Sequence, residues 1–414
     1  MNILQTTTGR AGKISQWLIQ RGLAGDTVAQ LATGLCDHLA AQGVPLLRAF
    51  IGLQTLHPLY GGYAYIWRRG VEDLSVDSYL RQQGHNSDFL ASPLHHMRQN
   101  RILRFRQNLE TTAEPEYPIY QMFRDEGGTD YFVRLFPFAR ADGPVREDGV
   151  MISLLFDQAG GLAADELAEL EVILQVFALA ARSAATYATA QSVAHTYLGK
   201  DAGQRVLDGD IDRGSTSSMR AVIFFADLRG FTPLSEQLPG PELLSMLDDY
   251  LDAIARGVLQ RGGEVLKFLG DGVLAVFEIS GDDTECQTAC QQGMAAGRDA
   301  FAAIEALNAA RQAQEQPTMA LDLALHIGDV LYGNVGAEGR LDFTVIGPAV
   351  NEASRIEAMC GTLDRSWLVS EAFYHSARHC SDTMEAMGRH PLRGLIGERA
   401  LYSLPHQGQE AGRT

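Results

Sequence analysis

Cysteine is scarce in this chain of 414 residues, with five: Cys36, Cys286, Cys290, Cys360 and Cys380. An odd number at scattered spacings excludes a disulfide framework and a zinc knuckle. Cys286 and Cys290 lie one helical turn apart and read as two packed thiols. The N-terminal MNILQTTTGRAGK has no apolar signal core, so a reducing, cytoplasmic setting fits. No run is long enough to span a bilayer. The most apolar helical stretch, Val172 to Ala185, is flanked by Glu166, Glu169 and Glu171 and interrupted by Arg182. Basic residues are also few, 34 against 51 acidic, for a net charge of −17. That balance argues against bulk nucleic acid or an anionic membrane as partner. It leaves room for a nucleotide, because a metal ion and a few local cations can hold a triphosphate. Biased segments and internal repeats are absent. The composition, 46% hydrophobic and 21% charged, is that of a soluble globular protein, and the length implies more than one domain.

Residues 1 to about 45 read as two helices, with Leu18, Ile19 and Leu23 leading into Val28, Leu31, Leu35 and Leu39. Strands follow at Leu46 to Leu53 and Gly62 to Trp67, joined across His57-Pro58, and again at Asp130 to Phe138 and Val150 to Phe156. The polar middle, Ser75 to Asn108, reads as loops and short helices. An α+β sensor domain over 1–163 is the expectation. From Ala164, Leu167, Leu170, Leu174, Phe177, Ala181 and Ala184 recur in steps of three and four. This is either a coiled-coil seam or an amphipathic helix packing on its own domain. Gly199 to Ser218, rich in Gly, Asp and Ser, reads as linker, so that 164–218 is a helical connector. Beyond it come a strand (Met219 to Ala226), a helix (Leu243 to Leu259) and a strand pair (Gly263 to Phe268, Val273 to Phe277). Then follow a helix (Thr284 to Ala313), strands (Ala320 to Ile327, Asp342 to Ile346) and a helix (Val350 to Met359). The order βαββαβ is a ferredoxin-like arrangement within 219–405, leaving 406–414 as a flexible tail.

Three segments carry chemistry. In Phe224-Phe225-Ala226-Asp227-Leu228-Arg229-Gly230-Phe231-Thr232 an apolar strand ends in an aspartate and a glycine turn enters a helix. Asp227 is a hard oxygen ligand for Mg²⁺, and exposed backbone amides at such a turn can cradle phosphate oxygens. The same Asp can simply cap the helix. In Lys267-Phe268-Leu269-Gly270-Asp271-Gly272, Gly-Asp-Gly suits a hairpin turn, yet Lys267 lies in an otherwise apolar strand. Should the hairpin lie beside the first strand, Asp271 meets Asp227, as two-metal phosphoryl transfer requires. In Asp342 to Arg355, Asn351 and Arg355 share one helical face, and Arg suits charge developing on a phosphate.

In this order, and with Ala324 to Gly336 between them, these segments resemble the catalytic domain of class III adenylyl and guanylyl cyclases, over about Met219 to Leu404. The resemblance implies head-to-tail homodimers with composite sites. Asp227 and Asp271 match the metal aspartates, for two Mg²⁺ or Mn²⁺ ions per site. Lys267 and Thr344 match the base-selecting pair. An ammonium that donates to N1 and a hydroxyl that accepts from N6 fit adenine, so ATP is the implied substrate. Guanylyl cyclases usually carry Glu and Cys at these two places. Thr344 in place of Asp resembles a bacterial subclass whose members often respond to bicarbonate. Asn351 and Arg355 match the transition-state pair, supplied by the opposite chain. The turn Leu228, Gly230, Phe231 and Thr232 matches the phosphate-binding segment, and Arg393 either meets the triphosphate or is a surface arginine. A guanylyl or dual-specificity cyclase and a non-catalytic nucleotide-binding module are the alternatives. The end of the N-terminal half resembles a GAF-type sensor domain, which implies an unidentified small-molecule or protein stimulus. His57, His95 and His96 are either ligands or scattered surface histidines. Tyr60, Tyr63, Tyr65 and Trp67 either line a pocket or pack in the core.

Overall fold

The computed structural model describes residues 9–54, 60–80, 87–111, 117–138, 149–377 and 384–404. Two compact units, Met1–Val193 and Ala194–Thr414, divide the chain. The first contains α1 (Arg10–Leu23), α2 (Val28–Ala41), β1 (Leu46–Gln54), β2 (Tyr60–Arg68), β3 (Ser75–Leu80), α3 (Ser87–Leu90), α4 (Pro93–Gln99), β4 (Arg104–Asn108), α5 (Ile119–Asp125), β5 (Asp130–Pro137) and β6 (Gly149–Phe156). Then α6 (Ala164–Leu198) carries the chain into the second unit. A capping box of Thr27 and Gln30 starts α2. The six strands form one antiparallel sheet in the order β3-β2-β1-β6-β5-β4. Its alternating side chains serve two cores. Ala49, Ile51, Ile152 and Leu154 pack with α1, α2 and α6, while Tyr131, Val133 and Leu155 pack with α4 and α5.

Several expectations need correction. Ser75 to Asn108 contains two strands, β3 and β4, and they are the two edges of the sheet. β3 is exposed along its whole length and β4 is a polar Arg-Phe-Arg-Gln-Asn, so neither shows the alternation that betrays a half-buried strand. The heptad positions Leu167, Leu170, Leu174, Phe177 and Ala181 are all buried in their own unit's core. The seam is therefore the packing face of an amphipathic helix. Trp67 and Tyr65 also pack in this core, and the Trp67 indole donates to Asp37. His95 and His96 lie against the rings of Phe89 and Tyr117. His57 lies outside the described residues, as does the 406–414 tail.

The second unit contains α7 (Lys200–Leu207), β7 (Thr216–Arg229), α8 (Phe231–Ser235), α9 (Gly240–Gln260), β8 (Glu264–Leu269), β9 (Gly272–Glu278), α10 (Asp283–Gln312), β10 (Ala320–Ala337), β11 (Arg340–Ile346), α11 (Pro348–Glu357), β12 (Trp367–Ser370), α12 (Glu371–Ser376), β13 (Glu385–Pro391) and β14 (Glu398–Ser403). The expected linker is thus a helix followed by the start of β7. Its sequence hides α7 because the residues that pack, Ala202 and Gly203, are small. The sheet order is β13-β14-β12-β10-β7-β9-β8, with β11 paired to β10. Within it β9 lies between the parallel strands β7 and β8, the interleaving of a split βαβ pair. Val222, Phe224 and Ala226 face α9 and α10, whereas Ala221 and Ile223 face α7 and α11. Where α9 meets α10, a Cβ on Gly257 would stand 2.9 Å from the Ala296 carbonyl oxygen, so glycine permits the close approach. Among the described residues no helix is long and apolar enough to cross a membrane.

Phe177 is fully buried, and Leu179, two residues on, is 69% exposed. Phe177→Ala should therefore cost the N-terminal unit about 3–5 kcal/mol, and Leu179→Ala less than about 0.5 kcal/mol. Hydrogen exchange of β1 and β6 amides in the full chain measures both. Equal costs would contradict the inward seam.

Candidate active site

β7 delivers Asp227 at the rim of the sheet, directly opposite Asp322 of β10. Arg229 clamps Asp322 with two hydrogen bonds, from Nε to Oδ2 at 2.9 Å and from Nη2 to Oδ1 at 2.5 Å. That guanidinium is thus committed to Asp322. Asp227 is half-buried and accepts a hydrogen bond from the Leu228 amide.

β8 and β9 are joined by the two-residue turn Gly270-Asp271, in which Gly270 takes a φ of 72°. The next residue, Gly272, lies against β7. A Cβ there would stand 3.1 Å from the Ala226 carbonyl oxygen and 3.2 Å from Asp227 Oδ1. The missing side chain is what lets the Asp271 turn sit beside Asp227. Burial first, and then the charge of Asp271, push the Asp227 carboxyl up to about 6, against the opposing pull of the Leu228 amide. The structure therefore brings together the two aspartates singled out in the sequence.

Sequence reasoning missed a third acid. Glu357, the last residue of α11, is pushed up to about 8 by burial, then by Asp227 and Asp322, while Arg229 opposes. It follows the buried Ala353 by one helical turn, and that spacing was the only available signal. Among the described residues, no three His, Cys, Asp or Glu side chains gather closely enough to hold a metal ion by themselves.

Lys267 projects from β8 and donates from Nζ to Asp342 Oδ2 at 2.7 Å. The hydrogen bond and charge of Lys267 lower the Asp342 carboxyl. Both side chains are substantially exposed, so the pair orients more than it stabilises. Thr344 is two residues on from Asp342 and shares its face of β11. Lys267 and Thr344, expected to select the base, thus lie on strands that touch, and the contact seen between those strands is the one from Lys267 to Asp342. Asn351 and Arg355 are both exposed on α11, whose Ala349, Ala353 and Ile356 are buried. Among the described residues, neither of the two side chains has a hydrogen-bond or ionic partner. In the turn after Asp227, Leu228 is buried, Gly230 is left-handed with φ 98°, and Phe231 and Thr232 open α8. Arg393 is exposed in the turn between β13 and β14, at the sheet edge opposite to β8. Within one chain nothing brings it to the carboxylates.

Residues 215–405 match the family model described as adenylate and guanylate cyclase catalytic domain. An adenylate cyclase of Anabaena cylindrica is 32% identical over 163 residues, 39% of this chain and 32% of that protein. Adenylate cyclase 1 of Rhizobium meliloti is 34% identical over 149 residues, 36% of this chain and 22% of that protein. The crystal structure of the adenylyl cyclase CyaB from P. aeruginosa is 28% identical, with 46% of this chain and 96% of that one aligned, at a TM-score of 0.40. This chain thus spans a third or less of the curated relatives it matches. Residues 215–405 thus resemble the catalytic domain of adenylate and guanylate cyclases.

The raised Asp227 carboxyl has a consequence for stability. A carboxyl whose folded pKa lies above its unfolded one contributes most below the unfolded pKa, about 3.9, and loses that contribution as pH rises through about 6. In chelator, Asp227→Asn should therefore gain about 1 kcal/mol over wild type at pH 8, after discounting for solvent screening. The gain should vanish near pH 4. Urea midpoints at the two pH values check this; a gain that is larger at pH 4 would reverse the assignment.

Proposed function

We infer that this protein is an adenylyl cyclase that converts ATP to 3′,5′-cyclic AMP and pyrophosphate at sites shared by two copies of the chain. The convergence of Asp227 and Asp271 in a cyclase catalytic domain carries the reading. The donor set suits a divalent cation. One carboxylate near the end of β7 lies beside another at the β8–β9 turn, and burial and the charge of Asp271 disfavour ionisation of Asp227, which a cation would relieve. Asp227 and Asp271 would hold Mg²⁺ or Mn²⁺, two per site, whose chemistry when bound is to polarise the ribose 3′-hydroxyl and neutralise the triphosphate.

The other residues position and discriminate. Lys267 donates to adenine N1, and the Thr344 hydroxyl accepts from the N6 amine. Asp342 holds the Lys267 ammonium. Leu228 leads the chain into the turn, where the amides of Gly230, Phe231 and Thr232 cradle phosphate oxygens. Asn351 orients the ribose, and Arg355 meets the charge that develops on the α-phosphate, both from the other copy. Arg393 either meets the triphosphate or is a surface arginine. The relatives' name, adenylate cyclase, agrees with ATP as substrate. In the N-terminal unit, an antiparallel sheet with a core on each face supports a GAF-like sensor that takes a small-molecule or protein stimulus in the cytoplasm.

Assay of the full chain with ATP or GTP and Mn²⁺ should give chiefly cyclic AMP; preferential GTP turnover would overturn the substrate. Asp227→Ala and Asp271→Ala should each lower turnover on the order of a hundredfold or more. Mixing Asp227→Ala with Arg355→Ala chains should recover part of the activity, and no recovery in verified heterodimers would count against shared sites. Lys267→Glu with Thr344→Cys should reduce the preference for ATP by on the order of a hundredfold. An unchanged ratio would mean that the base is read elsewhere.

A further inference from the structure

The last helix before the catalytic sheet is tied to the strands that read the base. Gly199, with φ 92°, turns the chain from α6 into α7. A Cβ on Gly203 would stand 2.8 Å from the Ala194 carbonyl carbon, so α7 lies in direct backbone contact with the end of α6. Ala202 is fully buried, and Leu198 and Val206 pack beside it on the cluster that contains Leu266, Phe343 and Val345.

The N-terminus of α7 has no capping side chain of its own, because its N-cap is Gly199. Glu264 of β8 takes that part, accepting from the Asp201 amide at 3.2 Å and also from the Ala202 amide. Tyr332 of β10 donates to the same carboxylate at 3.3 Å. Burial keeps the Tyr332 phenol protonated and so a donor. Arg205 of α7 lies 5.0 Å above the Tyr332 ring and pairs with Asp201 at 2.8 Å. Tyr332 in turn is opposite Val345 in the β10–β11 pairing, and its ring meets Phe343 edge-on at 4.8 Å. Thr344 lies between those two residues, and Lys267 follows Glu264 by three. One carboxylate therefore joins α7 to β8, which carries Lys267, and to Tyr332 of β10, whose strand pairs with the β11 of Thr344.

We propose that Glu264 and Tyr332 are positioning residues for base selection, setting the spacing of Lys267 and Thr344 according to how α7 is seated. Because Gly203 holds α7 against the end of α6, a displacement of α6 reaches the base pocket by this route. The inference rests on the cyclase reading and adds to it a contact through which an upstream signal changes nucleotide preference as well as rate.

The test uses full-length Glu264→Gln, which keeps the shape and removes the charge, and Tyr332→Phe, which removes one hydroxyl. Hydrogen exchange over 199–208 should quicken in both. The ratio of kcat/KM for ATP to that for GTP should fall about tenfold, the usual worth of a hydrogen bond to a charged group. A purely structural role would lower both kcat/KM values together and leave the ratio intact. That outcome, or unchanged exchange of α7 in both variants, overturns the proposal. Failure of the cyclase reading is seen separately, as a wild-type chain that makes neither cyclic nucleotide. In that case, exchange at β8 and β11 in Glu264→Gln decides whether Glu264 ties those strands to α7; unchanged exchange there overturns the proposal.

Discussion

Two polar contacts, Lys267 with Asp342 and Glu264 with Tyr332, join strands that are not neighbours in the sheet. Between β10 and β8 lie β7 and β9, so the β10–β11 ribbon must fold across to reach β8. Most of the candidate site depends on this closure. It brings Asp342 to Lys267, and it seals the cluster of Ile223, Leu274, Phe343 and Ala353. α11 leaves the ribbon at Gly347, so its two exposed polar residues are placed by the same fold. An ordinary sheet ladder would have left these side chains on separate strands with no common pocket.

The acidic end of the sheet follows a different constraint. Asp271 raises the Asp227 carboxyl and both raise that of Glu357, while Arg229, the cation that opposes the rise at Glu357, is held by Asp322. A chain selected for stability alone would neutralise such a cluster or replace it with apolar residues. Such acids at the strand ends suit the proposed site, whose counter-charge would arrive with its ligand. The excess of 51 acidic over 34 basic residues is therefore not spread as bland surface charge, because part of it is concentrated here.

The core strands β1, β2, β5 and β6 were legible because alternation marks strands with one face in each of two cores. The edge strands β3 and β4 were not, since one-sided pairing demands little apolar character. The heptad of α6 was seen, but a pattern of threes and fours does not say which surface it meets, and here it met its own sheet. Asp227, Asp271 and Lys267 were legible because each breaks a local rule, a charge at the end of or inside an apolar strand. Asp342 and Glu357 break no such rule: an acid on an exposed strand face or near a helix end looks ordinary. α7 was read as linker because glycine, which usually loosens a chain, here permits contact with α6.

The helix α11 gives a geometric reason for expecting two copies at each site. At 100° per residue, Glu357 lies about 160° around the axis from Arg355 and about 120° from Asn351. Glu357 turns toward Asp227 and Asp322 of its own chain, as their mutual effect on its carboxyl requires. Asn351 and Arg355 consequently turn away from those carboxylates. An exposed arginine without an acid, on a helix otherwise committed to its own core, is free to meet charge on another molecule. Were Arg355 to serve the acids of its own chain, α11 would have to rotate by nearly half a turn, which would expose Ala349, Ala353 and Ile356 and drive the charged side chains into the apolar cluster. The core of a single copy thus keeps Arg355 from the acids of its own chain, which supports the proposal of a site shared by two copies.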